Sequence, residues 1–187
     1  MVRLVETIDG FAVPVSVRGP ENGRTIVILD NPPQSSSPYH AVRDRLHVAR
    51  LRTVFIAADP RLTAKSTAGI LDSLDLSAGV VVGDREGARL AWQLAATCQD
   101  RFTGLVAVDC GHPRAADAIG AVQDPDCPLV DVDTTVLVGA ERTNAAVRAS
   151  MKYVRGEFRL VDLAGWRGSQ HFVAQLTAEI VLRSYAR

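Results

Sequence analysis

Short, continuous apolar runs alternate with segments of helical spacing along almost the whole chain. The runs are 25–29 (Thr-Ile-Val-Ile-Leu), 53–58 (Thr-Val-Phe-Ile-Ala-Ala), 80–82 (Val-Val-Val), 105–108 (Leu-Val-Ala-Val) and 135–138 (Thr-Val-Leu-Val). A run that is apolar at every position, short and rich in β-branched residues is a strand buried on both faces. Helical spacing fills the gaps: 39–50 through Val42, Leu46 and Ala49, then 65–74, 88–98 through Leu90, Leu94 and Cys98, 143–153, and 172–185. A further strand is expected over 158–163. Strands that alternate with helices build a parallel sheet covered on both faces. Residues 1–19 differ: they alternate loosely and break at Gly10, which predicts a hairpin over about 2–8 and 11–18. The expected architecture is a three-layer α/β/α sandwich on a mostly parallel, eight-stranded sheet with an N-terminal hairpin.

A chain of 187 residues is long enough for one full core, so a single domain over 1–187 is expected. The 21 basic and 21 acidic residues cancel, which gives no electrostatic pull toward nucleic acid or an anionic membrane. Arginine supplies nearly all the basic charge, with Lys65 and Lys152 the two lysines. The first residues are charged throughout and carry no signal-peptide core, and no run approaches the ~20 apolar residues that span a bilayer. Cys98, Cys110 and Cys127 have no metal-ligand spacing, and reduced thiols in a cytoplasm are the expectation. The one long irregular stretch is 111–133, which holds Pro113, Pro125 and Pro128.

One motif carries chemical information. Gly83-Asp84-Arg85-Glu86-Gly87 follows an apolar run and precedes a helical segment. It has the frame of a nucleophile elbow, Gly-x-Ser-x-Gly, with arginine at the serine position. The element order, with strands ending at Asp30, Ala58, Asp84, Asp109, Ala140 and Leu163, resembles that of the α/β-hydrolase superfamily across nearly the whole chain. Residues 24–31 (Arg-Thr-Ile-Val-Ile-Leu-Asp-Asn) look like the strand that normally ends in His-Gly beside the oxyanion hole. Residues 53–61 are similar to the strand and Asp-x-Arg segment that follow, 70–76 to the helix before the elbow, and 102–109 to the strand after it. The resemblance implies a hydrolase-like sheet. It also implies that the cap domain of this superfamily is pared down to about 111–133.

The departures from that pattern bear on function. Arg85 stands at the nucleophile position. Gly139-Ala140-Glu141-Arg142 follows the strand where the acid belongs, which places Arg142 at the acid position. His171-Phe172 matches the histidine before the last helix. Asp30-Asn31 replaces the usual His-Gly of the oxyanion loop.

A serine triad needs an oxygen nucleophile that an imidazole can deprotonate. A guanidinium stays protonated and has no lone pair to attack with. Arg85 therefore either pairs internally with a strand-end carboxylate (Asp30, Asp84 or Glu86) or holds an anionic ligand at the start of a helix. His171 is either a relic or is oriented by Asp109, whose strand end is an alternative place for the acid in the superfamily. Cys110, beside Asp109, is a weaker nucleophile candidate. Asp84 and Glu86 flank the elbow position. Ser169 reads as a helix cap, and so does Ser37 after the 31–36 loop. His40 and His47 read as surface residues. Nothing calls for a metal or another cofactor: there is no metal-ligand spacing and no phosphate-binding glycine loop.

Two function classes remain. One is a non-catalytic relative that binds a small molecule, an anionic one included, or a protein partner, with a homodimer among the options. The other is an esterase-like hydrolase with displaced machinery that uses His171 with Asp109.

Overall fold

The computed structural model describes residues 2–30, 37–77, 79–139 and 141–186, and for 141–144 the backbone alone. Eight strands form one sheet in the order β1-β2-β4-β3-β5-β6-β7-β8. The strands are β1 (Val2–Glu6), β2 (Ala12–Arg18), β3 (Thr25–Leu29), β4 (Arg52–Ile56), β5 (Val80–Asp84), β6 (Gly104–Val108), β7 (Asp133–Val138) and β8 (Phe158–Asp162). β2 runs antiparallel to β1 and β4, and every other pairing is parallel. The expected eight-stranded, mostly parallel sheet with an N-terminal hairpin is present. The hairpin turns earlier than its pattern suggests, because the Thr7 carbonyl accepts Gly10 N–H at 3.1 Å and Gly10 takes the left-handed conformation.

The helices are α1 (Pro38–Val48), α2 (Ala64–Ser73), α3 (Glu86–Thr97), α4 (Glu141–Ser150) and α5 (Gln170–Tyr185). Three start on side-chain caps. Ser37 accepts Tyr39 N–H, Thr63 and Ser66 form a capping box, and Ser169 accepts Phe172 N–H. Each cap satisfies a donor that the first turn leaves free. The helix expected over 143–153 divides. Ser150 Oγ donates to the Ala146 carbonyl at 2.6 Å and accepts His112 N–H at 2.7 Å, and a 3-10 turn covers Met151–Tyr153.

Alternate strand residues feed the two faces, as the pleat requires. Val27, Leu29, Val54, Ile56, Val81, Leu105 and Val136 pack with Ile70 and Leu71 of α2, Ala91, Trp92 and Ala95 of α3, and Val147 of α4. Ile26, Ile28, Phe55, Val80, Val82, Val106 and Leu137 pack with Val42 and Leu46 of α1 and with Phe172, Leu176 and Ile180 of α5. The sheet is thus covered on both sides, and strands such as β3 and β6 are buried at every residue. Full burial of one such aliphatic side chain is worth about 1.5–3 kcal/mol.

Between β6 and β7 the chain forms turns with no helix or strand, plus one isolated bridge from Val130 to Val154. His112 anchors this stretch. Its Nδ1 accepts Arg114 N–H at 3.1 Å, so its Nε2–H donates to the Pro128 carbonyl at 2.9 Å. Its ring stacks on Tyr153 and meets the edge of Trp92. Burial holds the His112 pKa below the usual imidazole value, which keeps this tautomer neutral.

Candidate functional site

The parallel strands all end on one side, and the candidate residues collect there. Gly83 lets β5 turn into α3, since a Cβ on it would lie 2.5 Å from Ala88 Cα. A Cβ on Gly87 would overlap the Leu29 carbonyl oxygen at the end of β3. Between them Arg85 has φ 50° and ψ −107°, a backbone conformation that costs a non-glycine residue energy. Its N–H is held by the Val108 carbonyl at 3.1 Å. The sharp strand-to-helix elbow read from Gly-x-Arg-x-Gly is therefore built in full.

Arg85 is not enclosed by carboxylates. Its side chain is 68% exposed, and its ion pair is a loose one, Nε to Asp84 Oδ1 at 3.8 Å. Of the strand-end carboxylates considered as partners for Arg85, Asp84 is thus within 4 Å, at the long end of an ion pair. The close partner of Asp84 is Arg167, from the loop between β8 and α5. Arg167 Nη2 donates to Asp84 Oδ1 at 2.6 Å and Nε to Oδ2 at 3.1 Å, and Nη2 also lies 2.7 Å from Asp109 Oδ2. Burial works against the Arg167 charge, but the hydrogen bonds and charges of Asp84 and Asp109 outweigh it and raise the pKa. Tyr39 Oη completes the cluster by donating to Asp84 Oδ2 at 3.0 Å. Burial, reinforced by Asp84 and Asp30, lifts the Tyr39 phenol well above its usual value.

The anticipated Asp109–His171 arrangement is not what forms. Asp109 accepts Gly139 N–H at 2.5 Å through Oδ1 and faces Arg167 through Oδ2. It ties the ends of β6 and β7 to the β8–α5 loop. His171, in the first turn of α5, is exposed and makes no hydrogen bond or ion pair among the described residues. A histidine that acts as a general base needs an orienting partner and a proton source within reach. Cys110 is poorly suited as a nucleophile, since burial pushes its thiol up to about 12, and its Sγ lies 3.4 Å from the Gly111 carbonyl oxygen. Glu86 is exposed in the first turn of α3. Asn31 and the rest of the 31–36 loop lie outside the described residues, as does the side chain of Arg142, whose backbone belongs to α4. His40 pairs with Asp44, and His47 bonds to Thr53.

A cavity of about 600 Å³ opens over the elbow, bordered by Asp30, Tyr39, Asp84, Arg85, Arg167 and Phe172 among others. Arg167 and Tyr39 escaped the sequence reading. A tyrosine on the buried face of a helix needs a partner for its hydroxyl, which was a usable signal. Arg167 lies between Gly165 and Gly168 in a loop, and no spacing rule marks it. Among the described residues no group of histidine, cysteine and carboxylate side chains could hold a metal ion, and no helix is long and apolar enough to cross a membrane.

No protein-family model and no curated protein matches the sequence. Solved structures do match in fold. Epoxide hydrolase A from Mycobacterium thermoresistibile superposes with a TM-score of 0.74 at 12% identity, covering 98% of this chain and 97% of that one. A hydrolase from Pseudomonas aeruginosa PA01 gives 0.71 at 13% identity, over 99% and 98%. An alpha/beta hydrolase fold protein from Nakamurella multipartita gives 0.68 at 16% identity and covers both chains completely. The chain has the α/β-hydrolase fold.

Proposed function

We propose that this protein is a non-catalytic member of the α/β-hydrolase fold that binds a small molecule at the C-terminal edge of its sheet. The observation that carries the reading is the elbow. The backbone turn that presents a nucleophile is retained, and it presents the guanidinium of Arg85 into a cavity of about 600 Å³. A guanidinium cannot form an acyl intermediate, but it can hold a polar or anionic group. The neighbouring acids support the same reading: Asp84 and Asp109 are engaged by Arg167, which leaves His171 without a carboxylate to orient it among the described residues. Arg85 thus marks a degenerate triad, and the pocket serves recognition.

The test is turnover of a short p-nitrophenyl ester by wild type, Arg85→Ser and His171→Ala. The expected result is no turnover by wild type above the buffer rate. Wild-type turnover that His171→Ala abolishes would overturn the reading and favour displaced hydrolase machinery.

A further inference from the structure

An ordinary surface helix turns its apolar stripe to the core and its charges to water. In α5 the arrangement is reversed. Its carboxylate and its guanidinium, Glu179 and Arg183, are both buried. Glu179 holds Arg159 at 3.1 Å, and Arg183 donates from Nε to Thr135 Oγ1 at 2.8 Å. The residues left outside are apolar towards the end of the helix: Ala174, Ala178, Leu182 and Tyr185 are exposed, with Val181 half-buried beside them. Leu182 is 48% exposed and Tyr185 51%. The patch continues onto α1, which packs beside α5 on the same face of the sheet. Tyr185 Oη donates to the Ala49 carbonyl at 3.1 Å, and the neighbouring Val48 is 86% exposed.

The outward stripe is complementary to itself. Ala174 and Leu182 lie four residues to either side of Ala178, and His171 and Tyr185 lie seven. At 3.6 residues per turn all five share one face. A two-fold axis at Ala178 therefore lays this face on its own copy with the helices antiparallel. Small then meets large, because Leu182 of each copy comes beside Ala174 of the other. The two Ala178 methyls at the centre let the helix axes approach to about 8 Å, the close end of helix packing. No carboxylate or guanidinium of α5 is stranded in such a contact, since both are already buried and paired. The area is of the right order. α5 is about 24 Å long, and with α1 alongside it presents a face about 20 Å wide, or roughly 400–500 Å² in projection. Specific complexes begin at about 600 Å² of accessible surface per partner, so the face suffices for a small, reversible dimer. A membrane surface is a poorer occupant, because interfacial helices carry lysines and arginines towards the headgroups and α5 exposes neither.

We infer that the outward face of α5 binds a second copy of this chain, in an antiparallel two-fold contact centred on Ala178. The contact accounts for a helix that buries its charges and exposes Leu182 and Tyr185, because association removes that apolar area from water. It stands apart from the binding reading above, since it uses neither Arg85 nor the acids at the strand ends.

The test is sedimentation velocity of the full chain, diluted from submillimolar to low micromolar concentration. Wild type is run beside Ala178→Arg, Ala174→Glu, Leu182→Lys and the double variant Ala174→Glu/Leu182→Lys. Wild type should pass reversibly from dimer to monomer on dilution. Ala178→Arg puts two like charges at the two-fold axis and should stay monomeric throughout. Each outer single variant should weaken the dimer at least about tenfold. The double variant should regain association, because the introduced carboxylate and ammonium then face each other across the axis. All three positions are exposed, so the variants should keep the wild-type helix signal in circular dichroism. A wild type that stays monomeric overturns the inference, and if it then pellets with phosphatidylserine vesicles the face belongs to a membrane surface instead. A dimer that survives Ala178→Arg overturns it as well, by placing the contact elsewhere. A double variant no stronger than its two singles overturns the antiparallel two-fold.

Discussion

Removing Arg167 is the sharpest probe of how this edge of the sheet is held together. Its guanidinium reaches three carboxylate oxygens on the ends of adjacent strands: both oxygens of Asp84 and Oδ2 of Asp109. Those carboxylates are only 11% and 7% exposed. Arg167→Met keeps much of the apolar stem and deletes the charge. Two poorly hydrated carboxylates then face each other at neighbouring strand ends. Breaking a fully buried ion pair by deleting one partner costs about 3–5 kcal/mol. Arg167 is itself 27% exposed, so water can partly replace it, and about 2–3 kcal/mol is the expected loss. For a chain of this length that lowers Tm by roughly 4–12 °C.

Urea denaturation of wild type, Arg167→Met, Asp109→Asn and the double variant measures the coupling directly. Asp109→Asn in the Arg167→Met background should recover stability, because it removes one of the two stranded charges. The same change alone should destabilise. Arg167→Lys should fall between wild type and Arg167→Met, since a point ammonium cannot span three oxygens. A loss below about 0.5 kcal/mol for Arg167→Met, or additive single changes, would refute the account of Arg167 as the link between β5, β6 and the loop before α5.

Stability should fall on acidification below about pH 6.5. Burial lowers the pKa of His112 and of His47 in the fold, with Arg114 and Arg43 acting in the same direction, so the unfolded chain takes up protons first as the pH drops. A Tm that rises between pH 7.5 and 5.5 would contradict this, and His112→Asn, although less stable, should show a shallower slope. Gly87→Ala should cost at least about 3 kcal/mol or leave the protein insoluble, because its methyl would occupy the space of the Leu29 carbonyl. Gly120→Ala, with open space around it and φ 83°, should cost only about 1 kcal/mol, so equal Tm losses in the two would undo the steric argument. Cys110 and Cys127, raised to about 12 and about 11 by burial, should react with an aromatic disulfide near neutral pH far more slowly in the folded protein than in urea. Equal rates would refute their burial.

The fold was legible because its signals are local and redundant. Each inner strand is a run too apolar and too branched to be anything but a doubly buried strand. Three of the helices carry their own side-chain caps, and the elbow glycines have no steric substitute. Where the reading slipped, a distant group decided the outcome. The helix from residue 141 gives way to a 3-10 turn after Ser150, whose Oγ bonds backward to Ala146 and across to His112, a residue 38 positions away. Helical periodicity cannot register that.

The site was legible only in its frame. Sequence reasoning placed Arg85 at the turn and left it two options: pairing with a strand-end carboxylate (Asp30, Asp84 or Glu86) or holding an anionic ligand. It had no means of knowing that Asp84 was already taken. Arg167 lies 83 residues away and holds both Asp84 oxygens at shorter distances, so among the described residues Arg85 keeps a single long contact with Asp84 and is largely exposed. The same competition separates Asp109 from His171. One guanidinium on a glycine-flanked loop thus converts two acids that could orient a histidine into structural ties between strand ends. Charge pairing is a contest over distance in the folded state, and the identity of the winner is not written near either loser.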